Sequence, residues 1–486
     1  MAEQLSQTAV PAPPARLEPD AIGVAQDTII GMATSAPAAV VGISLAGLAA
    51  TGTGAYYGGG VSLVICAIPM LIIAFAYHRL NMWNANSGAS FEWVGRAVNP
   101  YLGFLTGWLM IVGYVVGTLS GVEVLGPSVL AIFGRNASNV WGNIAIATVL
   151  GLLMIFIAVV GIRLTARVQV VMAAVEYTIL VGMSIWGLVY VLGHHAGTVP
   201  VSSGWFNPSG IGGRGSAVGG FLIAVFAFSG WDGTVYVNEE VKHRRLNPGR
   251  AAILAVIFLT VIYVLAQVGL QGVVSPSNLQ NNSANALVYV AQALGGGGWA
   301  KVMALALALS VIATVGTGIV VGARIIYGMA GYRALPEFLA TVPRRFATPA
   351  AASVVFGVIV IALAWVYLLA TSVQSAFTYV VDLTGILFAL FYILTAIASI
   401  VYYRRRVFSS SVLDAITIGL LPLASAAFLA WMVAKSLLNA PAPQNWTLLG
   451  IVVAGLLMML VARFALRSPF FRIQRESDPS AAPVRA

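Results

Sequence analysis

Twelve stretches of roughly 20 or more mostly apolar residues recur along the chain, and that recurrence narrows the choice of fold more than any single motif. Each is long enough to cross the hydrocarbon core of a bilayer as a helix. They lie at about 26–52, 58–80, 99–131, 140–162, 168–193, 217–240, 250–274, 299–331, 350–371, 376–403, 412–438 and 446–467. Only 8% of the 486 residues are charged and 59% are hydrophobic, against about 25% charged in soluble domains. The sequence therefore predicts an all-α integral membrane protein with 12 transmembrane helices. The segments at 99–131 and 299–331 exceed the bilayer thickness, which predicts tilt or extension into water. Residues 276–294 are expected to form an external loop with a short surface helix. The one cysteine, Cys66, lies in an apolar run, so an internal disulfide and a thiolate metal site are both excluded.

The net charge of +10 raises the question of an anionic partner. Its distribution answers it. With the N-terminus placed inside, all but four of the 25 Lys and Arg residues fall in inner segments. Arg135, Arg214, Lys301 and Lys435 are the exceptions. A bias of that size predicts both termini in the cytoplasm, with the positive charge serving topology and attraction to anionic lipid. Nucleic acid is not an expected partner. Residues 1–21, with Pro11, Pro13, Pro14 and Pro19, read as a disordered cytoplasmic tail rather than a signal peptide. Residues 471–486 read as a second cytoplasmic tail.

Two of the apolar segments are interrupted. The sixth carries Phe226-Ala227-Phe228-Ser229-Gly230-Trp231-Asp232-Gly233, and the first carries Gly31-Met32-Ala33-Thr34-Ser35-Ala36-Pro37. Pro37 removes a backbone donor, and broken backbone at mid-membrane depth survives only inside protein or beside a cavity. Interruptions at matching places in two halves point to a transporter's binding site. A repeat of five spans must insert in opposite orientations, so the spacing predicts a 5+5 inverted repeat at about 22–195 and 215–407, together forming a core at 22–407. Two additional helices would then occupy 408–470.

Further motifs bring a family into view. Asn238-Glu239-Glu240 and Arg245-Leu246-Asn247-Pro248-Gly249-Arg250 follow the sixth-segment break. Ser87-Gly88, Arg96 and Gly103-Phe104-Leu105-Thr106-Gly107-Trp108 open the third segment. Arg324-Ile325-Ile326-Tyr327 and Arg333-Ala334-Leu335-Pro336 close the eighth, and Arg167-Val168-Gln169-Val170 opens the fifth. As a set over residues 22–407 these resemble the amino acid–polyamine–organocation permeases, whose members have the LeuT-like fold with broken helices 1 and 6. The resemblance implies a secondary transporter for amino acids or related amines working by alternating access. It also implies that Phe226 matches the aromatic gate over the substrate. Two departures stand out. Thr34-Ser35-Ala36-Pro37-Ala38 replaces the family's Gly-rich run in helix 1, and Glu176 stands where many relatives place a lysine.

The candidate substrate site comprises Thr34, Ser35, Ala36, Pro37, Ala38, Phe226, Ser229, Gly230, Trp231 and Asp232. The amides after Pro37, from Ala38 to Val40, are expected to be free and to hold a substrate carboxylate at the positive end of a helix dipole; the bland alternative is a proline kink repaired by the hydroxyls of Thr34 and Ser35. The carbonyl end near Phe228 would suit an ammonium. Asp232 either contacts the substrate, carries coupling, or caps the helix that follows. Glu176, Asp232 and Thr314 are the coupling candidates, with Ser310 and Thr317 as oxygen partners one turn from Thr314; a neutral structural Glu176 is the alternative. Glu123 and Asp382 are ambiguous buried acids. Glu239 and Glu240 could pair with Lys242, Arg244 and Arg245 as an inner gate or form a solvated face. His194 and His195 read as solvated loop residues, not metal ligands.

The resulting expectation is a plasma-membrane amino acid permease coupled to protons, or to Na⁺, with no other cofactor. Alternatives are a polyamine or amine permease, an exchanger, and a transport-inactive sensor. An enzyme is not expected, because no nucleophile–His pair, metal cluster or phosphate loop is present. The expected partners are a small amino acid or amine and the lipid bilayer; nothing in the sequence sets the oligomeric state.

Overall fold

A computed structural model describes residues 16–208, 214–370, 373–409 and 411–478. The expected tail positions 1–15 and 479–486 and the side chain of Glu123 lie outside the described residues. All the regular elements described are helical, save one isolated bridge between Ile22 and Val241. In chain order the main helices are α1 (Val24–Thr34), α2 (Pro37–Thr51), α3 (Gly59–Trp83), α4 (Ser90–Ala97), α5 (Pro100–Ile132), α6 (Val140–Val160), α7 (Ile162–Leu192), α8 (Arg214–Ala227), α9 (Gly233–Tyr236) and α10 (Asn247–Leu270). They continue with α11 (Pro276–Asn281), α12 (Ala286–Gly295), α13 (Gly297–Gly331), α14 (Ala350–Ala370), α15 (Val373–Tyr402), α16 (Leu421–Asn439) and α17 (Ala442–Leu460).

Among the described residues, 11 helices are long and apolar enough to cross a membrane, with α1 and α2 counted as one. The sixth expected segment is divided instead into α8 and α9, each too short to count by itself. The loop after α10 carries two short helices, α11 and α12, where one was expected. The two long segments appear as α5 and α13, with 33 and 35 residues.

The described ends of the chain lie on one face. Glu18 pairs with Arg163 at 2.7 Å, and Ala21 and Ile22 donate to the Glu240 carbonyl. At the other end Glu476 pairs with Arg96 at 2.6 Å and Asp478 with Arg406 at 2.6 Å. Residues 16–21, expected to be part of a disordered tail, are thus held against the bundle, with Leu17 buried. Residues 468–478 also pack rather than hang free. Phe470 stacks on Phe91 at 4.0 Å in space that only a glycine leaves, since a Cβ on Gly95 would sit 2.4 Å from the Phe470 ring. We call this side the terminal face.

α13 is the most enclosed span and α17 the least, with 83% and 17% of their apolar windows buried. A helix apolar all round and buried belongs at the centre of a bundle; α17 lines its edge, as an added helix would.

Candidate functional site

The chain breaks between α1 and α2 because the residues leave it no alternative. Pro37 brings no amide proton to a fourth-residue bond, and Ala36 turns into the left-handed region at φ +48°. The last turn tightens, with Ser35 N–H donating to the Met32 carbonyl at 3.0 Å and Ala36 N–H to Ala33 at 3.2 Å. Pro37 then opens α2 at the position where its missing donor costs least. Between α8 and α9 the turn is made by Gly230 at φ +104°, with Gly233 N–H reaching the Gly230 carbonyl at 3.0 Å.

The two breaks cross in contact. A Cβ at Gly230 would lie 2.9 Å from the Thr34 carbonyl oxygen, one at Gly31 2.9 Å from the Trp231 carbonyl oxygen, and one at Gly233 3.0 Å from Thr34 Oγ1. Any larger residue at these places would force the half-helices apart.

A cavity opens beside this crossing. Thr34, Ser35 and Ala36 line it from the first break, and Phe226 and Ser229 from the second. Tyr114, Thr118 and Ser120 of α5, Thr314 of α13, and Thr384 and Phe388 of α15 complete its wall. Among the described residues, no carboxylate, lysine or arginine is on the lining. Along α2 the lining climbs from Ala36 through Ala39 and Val40 to the half-buried Ile43, away from the terminal face.

Toward the terminal face the cavity is sealed in layers. Asp232 lies beneath it, accepting from Tyr236 Oη and Tyr392 Oη, each at 2.7 Å. Trp231 stacks on Tyr392 with centroids 5.1 Å apart, and Tyr392 Oη also accepts from Gly230 N–H at 3.2 Å. Below this floor Asn238 bonds Asn81 at 3.0 Å, and Glu239 accepts from Ser87 N–H at 2.9 Å. Glu240 grips Arg324 through two bonds of 2.5 and 2.8 Å, with both side chains fully buried.

Several expectations meet a different arrangement. The amides of Ala38 to Val40 are not free: Ala38 N–H donates to Glu176 Oε1 at 2.9 Å, Ala39 N–H to Ser310 Oγ at 3.4 Å, and Val40 N–H to the Ala36 carbonyl at 2.9 Å. Glu176 thus fills the positive end of α2 from α7, the place a negative group favours. Thr314 Oγ1 reaches the Ala33 carbonyl at 2.7 Å and so ties α13 to the first break, whereas Thr317 bonds only carbonyls of its own helix.

Asp232 makes no side-chain cap, because its carboxylate is taken by the two tyrosines. The acids after α9 pair with Arg324 and the Ser87 amide rather than with Lys242, Arg244 or Arg245. Thr34 Oγ1 donates to the Ile30 carbonyl at 2.7 Å and Ser35 Oγ to the Gly31 carbonyl at 3.5 Å, so both hydroxyl protons are engaged within α1. Trp231, Gly230 and Asp232 lie off the lining, as do Pro37 and Ala38. Asp382 is half-buried, and the exposed His195 stacks on Tyr190 at 4.1 Å. Among the described residues no group of three or more His, Cys, Asp or Glu could hold a metal.

Sequence comparison matches residues 27–461 to the family model described as amino acid permease. Asc-type amino acid transporter 1 of Mus musculus is 26% identical over 292 residues, covering 57% of this chain and 52% of that protein. Large neutral amino acids transporter small subunit 2 of Homo sapiens is 25% identical over 300 residues, covering 60% and 55%. The chain spans about half the length of the curated relatives it matches. Among solved structures, a variant of the Eremococcus coleocola manganese transporter superposes with a TM-score of 0.61 at 13% identity, covering 91% of this chain and 95% of that one. MhsT in complex with L-phenylalanine superposes with a TM-score of 0.58 at 13% identity, covering 86% and 99%. The shared property there is the LeuT-like fold.

Proposed function

Since the chain belongs to the amino acid permease family, we propose that it is a secondary transporter carrying neutral amino acids across the plasma membrane by alternating access, with both termini cytoplasmic. The observation that carries this reading is the cavity at the crossing of two broken helices, whose described lining is hydroxyls, aromatic rings and small apolar residues with no charged side chain. Such a wall suits a substrate with no net charge. A zwitterion brings its own pair of charges, and rotating hydroxyls and helix-end carbonyls can serve both. The similarity to transporters named for Asc-type and large neutral amino acids supports the same substrate class.

An amine or polyamine would ask for an anionic wall. Asp232, the carboxylate at the second break, is off the lining and held by Tyr236 and Tyr392, which favours the neutral substrate over the amine. The cycle we propose starts from this arrangement. The terminal face is closed by Glu240–Arg324, and substrate enters from the opposite side to rest under Phe226. Separation of that ion pair then opens the route to the terminal face. Protons are the proposed coupling ion, making the protein a symporter. Glu176 and Thr314 act at the joint between α1, α2, α7 and α13, through which coupling must pass.

The test is reconstitution in liposomes with labelled alanine, leucine, arginine and putrescine under imposed pH or Na⁺ gradients. Uptake of alanine or leucine, driven by a pH gradient and exceeding that of arginine and putrescine, is expected. Transport of putrescine alone, or of nothing under any gradient or counter-substrate, overturns the proposal.

A further inference from the structure

Among the described residues, one fully buried acid has no partner at all. Asp27 sits in the first turn of α1 and has no exposure to solvent. Among the described residues neither of its carboxylate oxygens has a hydrogen-bond partner. Glu176 makes the contrast plain, because one of its oxygens rests on the Ala38 amide at the positive end of α2.

α1 packs against α7, α9, α10 and α13. On the terminal side these helices carry Arg163 and Arg167, Tyr236, Arg250, and Arg324 with Tyr327. Arg163 pairs with Glu18, Arg324 with Glu240 and Tyr236 with Asp232, while Arg167 and Arg250 are exposed. Nearer the break the same helices carry Glu176 and Tyr177 on α7 and Tyr263 on α10, whose hydroxyl lies 3.4 Å from the Ser35 carbonyl. None of these groups bonds Asp27.

A charged carboxylate with no donor and no counter-ion is not sustained in such an interior, whereas a neutral carboxyl group is. A cation would require a shell of several oxygens. A proton requires one.

The position of Asp27 gives that proton a route. Ala21 and Ile22 donate to the Glu240 carbonyl at 2.8 and 3.2 Å, and Lys242 N–H donates to Ile22 at 2.9 Å. These bonds join the start of α1 to the segment after α9. The segment is held to α13 by Glu240–Arg324, the ion pair that seals the terminal face. A parting of that seal that carried the start of α1 along with Glu240 would take Asp27 from a dry seam toward water.

We infer that Asp27 is the proton-carrying group of the transport cycle, protonated while the terminal face is closed and discharging to that side when it opens. Glu176 serves as a positioning residue that holds α2. The inference rests on the transport reading given above, and its test keeps the two apart.

Full-length protein is reconstituted with a pH-sensitive dye inside the liposomes and labelled alanine or leucine outside. Wild type is expected to concentrate the label under an inward proton gradient while acidifying the lumen. Asp27→Asn should keep exchange of labelled for unlabelled substrate within about twofold, yet lose accumulation at least about tenfold together with the acidification. Such a split is what a proton carrier gives and a structural residue does not. Glu176→Gln should lower exchange and accumulation together. Wild-type accumulation and acidification in Asp27→Asn overturn the inference, as does loss of exchange in step with accumulation.

A second measurement needs no substrate. The infrared difference spectrum between wild type and Asp27→Asn at neutral pH should contain the band of a protonated carboxyl group, and its absence overturns the inference. If wild type moves neither probe in any mode, the transport reading fails separately and the infrared band still reports on Asp27.

Discussion

The buried pair Glu240–Arg324 offers the sharpest handle on the proposed cycle. Both side chains are fully buried and joined by bonds of 2.5 and 2.8 Å, and Arg324 has one further acceptor, the Val320 carbonyl at 3.0 Å. Glu240→Gln leaves the guanidinium buried beside a neutral amide. Removing one partner of such a pair costs about 3–5 kcal/mol, and since Gln retains one hydrogen bond the lower end, about 3 kcal/mol, is appropriate. If the pair exists only while the terminal face is closed, that cost falls on one side of the equilibrium. At about 1.4 kcal/mol per tenfold the open-to-closed ratio rises roughly 100-fold. The assay places a cysteine in the cavity wall, Ser229→Cys, in a Cys66→Ser background, and follows alkylation by an impermeant maleimide from the terminal face of sided membrane vesicles. Glu240→Gln should speed labelling about as much as the ratio changes. The double variant Glu240→Gln/Arg324→Gln, with no unpaired buried charge, should return most of the way. A folded Glu240→Gln protein that labels at the parental rate would show that this pair does not hold the terminal face shut.

Three more outcomes follow from contacts already described. Gly230→Ala puts a methyl 2.9 Å from the Thr34 carbonyl oxygen at φ +104°, so it should lower stability by about 1–3 kcal/mol and suppress uptake, whereas Gly182→Ala, with nothing within 4 Å, should change neither thermal unfolding nor flux. Asp232→Asn breaks up the bonds to Tyr236 and Tyr392 and should depress uptake of neutral and cationic probes alike; a loss confined to cations would place the carboxylate in the substrate site after all. Phe470→Ala empties the slot against Phe91 and Gly95 and should destabilise by about 3–5 kcal/mol, read as a lowered thermal midpoint; an unchanged midpoint would mean that the 468–478 segment does not contribute to the fold.

What could be read from the sequence was what local chemistry fixes. Pro37 forbids a bond whatever surrounds it, and Gly230 in an apolar run invites a turn, so both breaks were visible before any packing was known. Partners were a different matter. Glu240 lay near Lys242, Arg244 and Arg245 in the chain, yet its counter-ion is Arg324, a full 84 residues away; proximity in sequence says little when helices return to the same face. Glu176 could be placed at mid-span, but its target, the Ala38 amide 138 residues earlier, depends on how α7 crosses the break. That contact reverses the reading of α2, from an open anion site to one already filled by the protein. Gly31 stands out only as one of the small residues around Pro37 and Gly95 not at all, since the role of each is the space it leaves for Trp231 and Phe470. Asp27 is inconspicuous in the sequence for a related reason. An acid one or two residues inside an apolar segment looks like a residue at the water's edge, where the macrodipole favours it, and only the burial of α1 among four helices turns it into a group that must shed its charge.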